Sequence, residues 1–558
     1  MQTDPAFPLS RAILQKAARS PRSAEKEAKL ALKSQPKSPA LLMAAGLVSL
    51  QLKKQKDARN HFIRAINTGH APAAAYLNAG LCEAELGQLP RALELLDLGQ
   101  KRFPEDTQLG TSAIKLCLQR GALQEAEIRI ASLLAKAPDE DHFFLAGRLA
   151  EAKGDLPAAL HYYALAPSNA LAQTALSQSY AFTNQEDKAL TAAKAAVTLA
   201  PLEPTHRFNL AWRKMEMGDF KEAAAGFRAL LDAPEQQFEA LRTLAELATE
   251  ADIEALEAKA NTLAAKAQTT AEQGHLAMAR AELAEKSGDH AKHLQYLAEA
   301  NKLYAKDRRY DVRAETQAYK DILSAYDDST VEDTAIHTPT PIFITGMIRS
   351  GTTLLDRLLS ASPEVSSMGE VAAVGRHFRA GFDAQTLASL RTAYSALQAL
   401  VPPAPFTLDK MPENGAYLGW ILRAFPNAKL IVMDRDPRDV AASAYRAYFN
   451  AAPMNFTFRE DWLMQKMAAF EAQLAAWEAR SVPMLRIDYD ALVRAPEDTL
   501  AQITEYCGLA PIGVADLSKD KGAIRTASFA QARQPVNTAS IGRWQKYQDL
   551  LPNICKPD

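Results

Sequence analysis

Along the first 300 or so residues the apolar positions are filled mainly by alanine and leucine, and their spacing repeats. Gly87, Gly121, Gly154, Asn184 and Gly218 are each followed five residues later by an alanine: Ala92, Ala126, Ala159, Ala189 and Ala223. Pro72, Pro104, Pro138, Pro167, Pro201 and Pro234 recur beside them at spacings of roughly 34 residues. One period shared by three residue types predicts paired helices. The glycine or asparagine makes the turn, the alanine lets the two helices approach, and the proline ends the second helix. About six such units fit between residues 36 and 305, with a looser one around Gly288. Beyond residue 305 the period is lost and charge rises, through KDRRYDVRAE to YDDSTVEDTAIHTPTP, which reads as a linker. Three apolar runs follow, PIFITGM, AKLIVMDR and PMLRIDY, whose length and β-branched content predict buried strands. Helical patterns between them predict a parallel sheet with crossover helices.

The stretch AYLNAGLCEAELGQLPRALELLDLGQKRFP, Ala75 to Pro104, resembles the tetratricopeptide repeat family. The resemblance implies an all-α solenoid over residues 1–305; the loss of period and the rise in charge place a helical, charged linker over 306–340, and the strand runs place an α/β domain over 341–558. Stacked repeats offer a groove, so the array is expected to bind a protein or peptide, or else to act as a scaffold for the second domain.

Composition narrows the partners. At 558 residues the chain is too long for one core. Its apolar fraction of 48% is that of a globular protein, and no run approaches the roughly 20 apolar residues of a membrane-spanning helix. The opening MQTDPAFPLSRAILQKAARS lacks the apolar core of a signal peptide, so a cytoplasmic setting without a membrane span is expected. Cys82, Cys117, Cys507 and Cys555 lie far apart without a C-x-x-C pair, which argues for incidental thiols over zinc ligands or disulfides. His290 and His293 sit among lysines and glutamates and read as surface residues. A net charge of −2 gives no overall reason to expect nucleic acid or an anionic membrane. Any anion site must be local.

The sequence ITGMIRSGTTLL, Ile344 to Leu355, has the build of such a site: an apolar strand, a loop bounded by Gly346 and Gly351, and a helix whose first N–H groups can bind an anion. Ser350, Thr352 and Thr353 add hydroxyls, and Arg349 adds a planar fork suited to phosphate or sulfate. Thr352 stands where a nucleoside-triphosphate-binding loop carries lysine, which disfavours a nucleotide kinase. The second run ends in MDRDPRDVAASAY, with Arg435 at the strand end and Ser443 eight residues on, and the third run delivers Tyr489. Ligands of parallel sheets bind at these carboxyl ends.

Together, PIFITGMIRSGTTLLDRLL and Arg435 with Ser443 resemble the PAPS-dependent sulfotransferases, whose donor is adenosine 3′-phosphate 5′-phosphosulfate. The likeness covers about residues 341–547 and is greatest to the tyrosylprotein branch and to bacterial proteins that join it to tetratricopeptide repeats. It implies a P-loop-like α/β fold, PAPS as donor, PAP as product and no metal. It also implies that Arg349, Ser350, Gly351, Thr352 and Thr353 grip the 5′ end, and that Arg435 and Ser443 grip the 3′-phosphate. Tyr489 matches a donor-contacting tyrosine. Within SFAQARQPVNTASIGRW, Ser528, Gln531, Arg533, Pro535, Val536 and Asn537 match the segment that closes over the donor. Arg543 stands where that branch has lysine, and Ala447 where it has a further arginine, although Arg446 adjoins.

The same likeness assigns Glu370, in SSMGEVAAVGRHF, as the base that takes the acceptor proton, and Lys410, in TLDKMPEN, as the cation on the transferring group. Ser528 would assist on the leaving phosphate, and Arg349 would serve both binding and catalysis. His377 is a rival base, seven residues beyond Glu370 and on its face if that segment is helical. On this reading the acceptor would be a protein tyrosine, a glycan or a small hydroxylated molecule. The alternative is a repeat adaptor whose C-terminal domain binds nucleotide without catalysis.

Overall fold

The turns predicted by the repeat adopt the backbone that the repeat requires. In the computed structural model, which describes residues 4–135, 138–328, 336–515, 517 and 533–556, Gly87, Gly121, Gly154, Asn184 and Gly218 all have left-handed φ, between 53° and 83°. Glycine adopts this conformation freely and asparagine tolerates it. The alanines that follow are at most 2% exposed, because a larger side chain would force the paired helices apart. Lys53, with φ of 58°, and the buried Ala58 extend the same arrangement to the pair Pro39–Gln51 and Gln55–Asn67.

The chain divides into two compact units, Met1–Ala166 and Pro167–Asp558. The first contains helical hairpins from Phe7–Arg19 with Pro21–Ser34 through Glu140–Lys153 with Leu156–Ala164. The second holds the remaining repeat helices, from Ala170–Phe182 to His290–Lys306, then the helix Val312–Asp328 and the α/β part; on His290–Lys306 the surface position expected of His293 does not hold, because its ring is buried with Nδ1 2.9 Å from the Ala281 carbonyl. Val312–Asp328 is tied to that part: Tyr326 meets Trp420 and Trp477 edge-on, and Arg423 stacks 3.8 Å over its ring.

Five parallel strands, β1 (Thr340–Gly346), β2 (Val365–Gly369), β3 (Phe406–Lys410), β4 (Lys429–Asp434) and β5 (Leu485–Asp488), lie in the order β2-β3-β1-β4-β5. β1 is buried on both faces. Ile342 and Ile344 join a core with Leu355, Leu358 and Ile431, while Phe343 packs against Tyr394 and Phe425 on the other side. Full burial is why this strand reads as an unbroken apolar run. The chain leaves β1 toward β2 on one side, and leaves β4 toward β5 on the other. The crevice between β1 and β4 is therefore the switch point at which such sheets bind ligands.

A buried aromatic and arginine cluster makes the second unit acid-sensitive. The His275 Nδ1 pairs with the Tyr304 hydroxyl at 3.0 Å. Burial, then the guanidinium groups of Arg242 and Arg308, pull the imidazole down to about 3. Folded His275 thus stays neutral while the unfolded residue takes a proton below about pH 6.5, so its contribution to stability falls with pH between those values. We expect this group to cost the native protein about 2 kcal/mol between pH 7.5 and pH 5, a loss that His275→Gln avoids. Urea unfolding followed by tryptophan fluorescence checks it, since Trp212, Trp420, Trp462, Trp477 and Trp544 all lie in the second unit.

Candidate active site

Strand register brings the candidate residues together. Gly369 of β2 is opposite Asp409 of β3, which sets the next residues, Glu370 and Lys410, side by side. A bulge between Ser367 and Gly369 re-aims the end of β2, a usual role for bulges beside sites. The Lys410 ammonium donates to the Glu370 carboxylate. Lys410 is enclosed, its side chain 3% exposed, whereas that of Glu370 is 44% exposed. The cation thus sits inside and the carboxylate faces incoming molecules. Across the sheet, Asp434 of β4 is opposite Asp488 of β5, so Arg435 and Tyr489 adjoin. The Arg435 guanidinium stacks 4.3 Å over the Tyr489 ring.

Between these pairs, at the end of β1, lies the loop Met347–Gly351. Arg349 takes a left-handed φ of 70°, and its Nε donates to the Ser443 Oγ at 2.9 Å. Arg435 donates to the Arg349 carbonyl at 2.9 Å and to the Ser540 carbonyl at 2.7 Å. The hydroxyls of Tyr489 and Ser540 are 2.6 Å apart. Ser443 lies on the helix Pro437–Tyr445, which Asp436 caps by accepting the Arg438 N–H. Burial, then the nearby charges of Arg435, Arg446 and Arg543, pull the Arg349 guanidinium down to about 10. It remains charged at neutral pH, within a concentration of positive charge suited to a polyanion. Ser350 Oγ, Arg435 Nε and Arg446 Nε are buried, and none has a hydrogen-bond partner among the described residues. Such orphaned donors are costly unless a ligand satisfies them. These residues therefore fit a phosphorylated nucleotide.

Thr352 and Thr353 open the helix Thr352–Leu359, with Thr352 buried. Val536 packs against the sheet core. Pro535 and Asn537 are exposed, and the Asn537 amide donates to the Pro535 carbonyl at 2.8 Å. Arg533 reaches the repeat turn at Gly218 and donates to the Glu216 carbonyl. Arg543 follows Gly542, whose N–H is held by Asp439 at 2.8 Å. Ser528 and Gln531 lie outside the described residues. The helical alignment of His377 with Glu370 does not hold. Glu370 precedes the helix Ala373–Phe378, and His377 Nδ1 bonds to the Ala373 carbonyl of that helix at 2.8 Å. Sequence reasoning missed Ser540, Asp439 and the repeat residue Asn184, whose amide donates to the Ser367 carbonyl of β2 at 2.7 Å. The signal for Asn184 was its asparagine in a glycine position.

Residues 341–512 match the model of the sulfotransferase family. Over that stretch the chain is similar to the sulfotransferase family. An uncharacterized protein of Aquifex aeolicus (strain VF5) is 28% identical over 335 residues, 55% of this chain and 44% of that protein. Protein-tyrosine sulfotransferase 1 of Danio rerio is 25% identical over 231 residues, 36% of this chain and 65% of its own length. The chain spans less than two thirds of these curated relatives. A thermophilic TPR protein of Thermus thermophilus is 23% identical, over 31% of this chain and 98% of that one, with a TM-score of 0.27. Among the described residues, no helix is long and apolar enough to cross a membrane, and no group of three or more His, Cys, Asp or Glu side chains could hold a metal ion.

Proposed function

We propose that the protein is a PAPS-dependent sulfotransferase that moves the sulfuryl group to an acceptor hydroxyl, that of a protein tyrosine in the reading we favour. The observation that carries the proposal is the convergence, at the carboxyl ends of all five strands, of an exposed carboxylate paired with a buried lysine and an arginine pocket with orphaned donors. The tyrosine acceptor is supported by the relatives of the sulfotransferase domain, such as protein-tyrosine sulfotransferase 1.

In this scheme Arg435 and Ser443 hold the 3′-phosphate, and the loop Arg349–Thr353 holds the 5′ end. The acceptor oxygen attacks sulfur and the bond from sulfur to the 5′-phosphate oxygen breaks, leaving PAP. Glu370 accepts the acceptor proton, and Lys410 and Arg349 stabilise charge on the transferring and leaving oxygens. Such transfer rests on alignment and preorganised charge, as phosphoryl transfer does. The adaptor reading lacks an observation of its own, because a purely binding domain has no need of the Glu370 and Lys410 pair.

The test is calorimetric titration with PAP and with ATP. We expect micromolar binding of PAP, much weaker binding of ATP, and loss of PAP binding by Arg435→Ala. A folded wild type that ignores PAP would overturn the proposal.

A further inference from the structure

A repeat helix reaches the arginine pocket. Glu285, at the end of the helix Thr270–Lys286, bridges two guanidinium groups: its Oε2 accepts from Arg446 and its Oε1 accepts from Arg543 at 3.1 Å. Both arginines belong to the group whose charge is felt at Arg349. Their placement is built in from the sheet side. Arg446 follows the helix that carries Ser443, three residues further on. Arg543 is flanked by Gly542 and Trp544, whose N–H groups donate to the buried Asp439 at 2.8 and 2.9 Å, so the backbone on either side of Arg543 is pinned.

Without a shared counter-ion, two neighbouring guanidinium groups would repel and swing apart. Glu285 is suited to hold them. Burial raises its carboxyl, but Arg446, then His293 and Arg543, bring it below its ordinary value, so it is ionised at neutral pH.

We propose that Glu285 is a positioning residue of the donor site, holding Arg446 and Arg543 as one clamp for the 3′-phosphate, so that a repeat helix completes the nucleotide pocket. This rests on the sulfotransferase reading and extends it, because it makes nucleotide affinity depend on the repeats. The orphaned Nε of Arg446 is the donor left for the ligand once Glu285 has fixed the side chain.

The experiment titrates the full-length wild type, Glu285→Ala and Glu285→Asp with PAP and with 5′-AMP, which lacks the 3′-phosphate. Glu285→Ala should weaken PAP about tenfold, or about 1.4 kcal/mol, while 5′-AMP affinity stays within about twofold. Glu285→Asp should recover part of the loss. Equal weakening of both nucleotides would reduce Glu285 to a structural role, and unchanged or tighter PAP binding would make it a bystander or a competitor. Either result overturns the inference while PAP binding by the wild type keeps the sulfotransferase reading intact. No PAP binding by the wild type overturns both. If Glu285→Ala does not fold, Glu285→Gln is read by the same criteria.

Discussion

Glu370→Gln should lower turnover by about 10²–10⁴-fold, the range for removing a general base, and leave PAP affinity within about twofold. The amide keeps an oxygen that can accept from Lys410, so the lysine stays in place and the substitution removes only proton-accepting capacity. The proposed donor pocket is built by other elements: the loop after β1, the helix Pro437–Tyr445 and Tyr489. Donor binding and chemistry should therefore separate cleanly. His377→Ala serves as the contrast and should keep turnover within about threefold, because its Nδ1 is committed to the Ala373 carbonyl. Measured with labelled PAPS and a tyrosine-containing peptide, normal turnover by Glu370→Gln would exclude Glu370 as the base. A large loss in His377→Ala would transfer that role.

How much of this was legible in the sequence depended on whether a residue's reason was local. The turn residues and their alanines were readable because each is fixed by its own hairpin. The hairpin at Lys53 was not, since a lysine there takes the backbone of a glycine and hides the period. β1, β4 and β5 announced themselves as apolar runs. β2 did not: VSSMG is short and serine-rich, with only Val365 and Met368 buried. Because β2 was unread, the roles of Glu370 and Lys410 rested on family likeness alone, their pairing was not foreseen, and the helical argument for His377 began from the wrong element. Asp439 and Ser540 were invisible for a different reason. Their partners lie 51 to 105 residues away, and nothing in a pair such as Arg435 with Asp439 reveals that the carboxylate also holds Gly542 and Trp544. Glu285 reads as one more charged residue on a repeat helix until the sheet domain is placed against it.

The glycines of the donor loop answer to tighter constraints than those of the repeats, and Gly346→Ala should abolish PAP binding and cost the second unit about 2–5 kcal/mol. A Cβ at Gly346 would stand 2.6 Å from the Ser350 Oγ and 2.7 Å from the Met433 carbonyl oxygen, with φ at 154°. Met433 is the ladder partner of Gly346 on β4, so its carbonyl can move only if the two strands part at the switch point. Gly351 closes the loop under similar limits, since its Cβ would meet the Tyr489 ring at 2.5 Å and displace the platform under Arg435. The spacing G-x-x-x-x-G thus records two close approaches of backbone to neighbours, independent of any lysine. Gly121, also left-handed with φ of 72°, has nothing within 4 Å of where its Cβ would be. Gly121→Ala bears only the backbone cost of about 1 kcal/mol, and should bind PAP as the wild type does. Calorimetry with PAP on both variants decides the matter, with unfolding followed by tryptophan fluorescence for Gly346→Ala and by far-UV circular dichroism for Gly121→Ala, whose unit contains no tryptophan: retained PAP affinity in Gly346→Ala would mean that the loop relaxes without disturbing β4, and that crowding at the switch point does not set the motif.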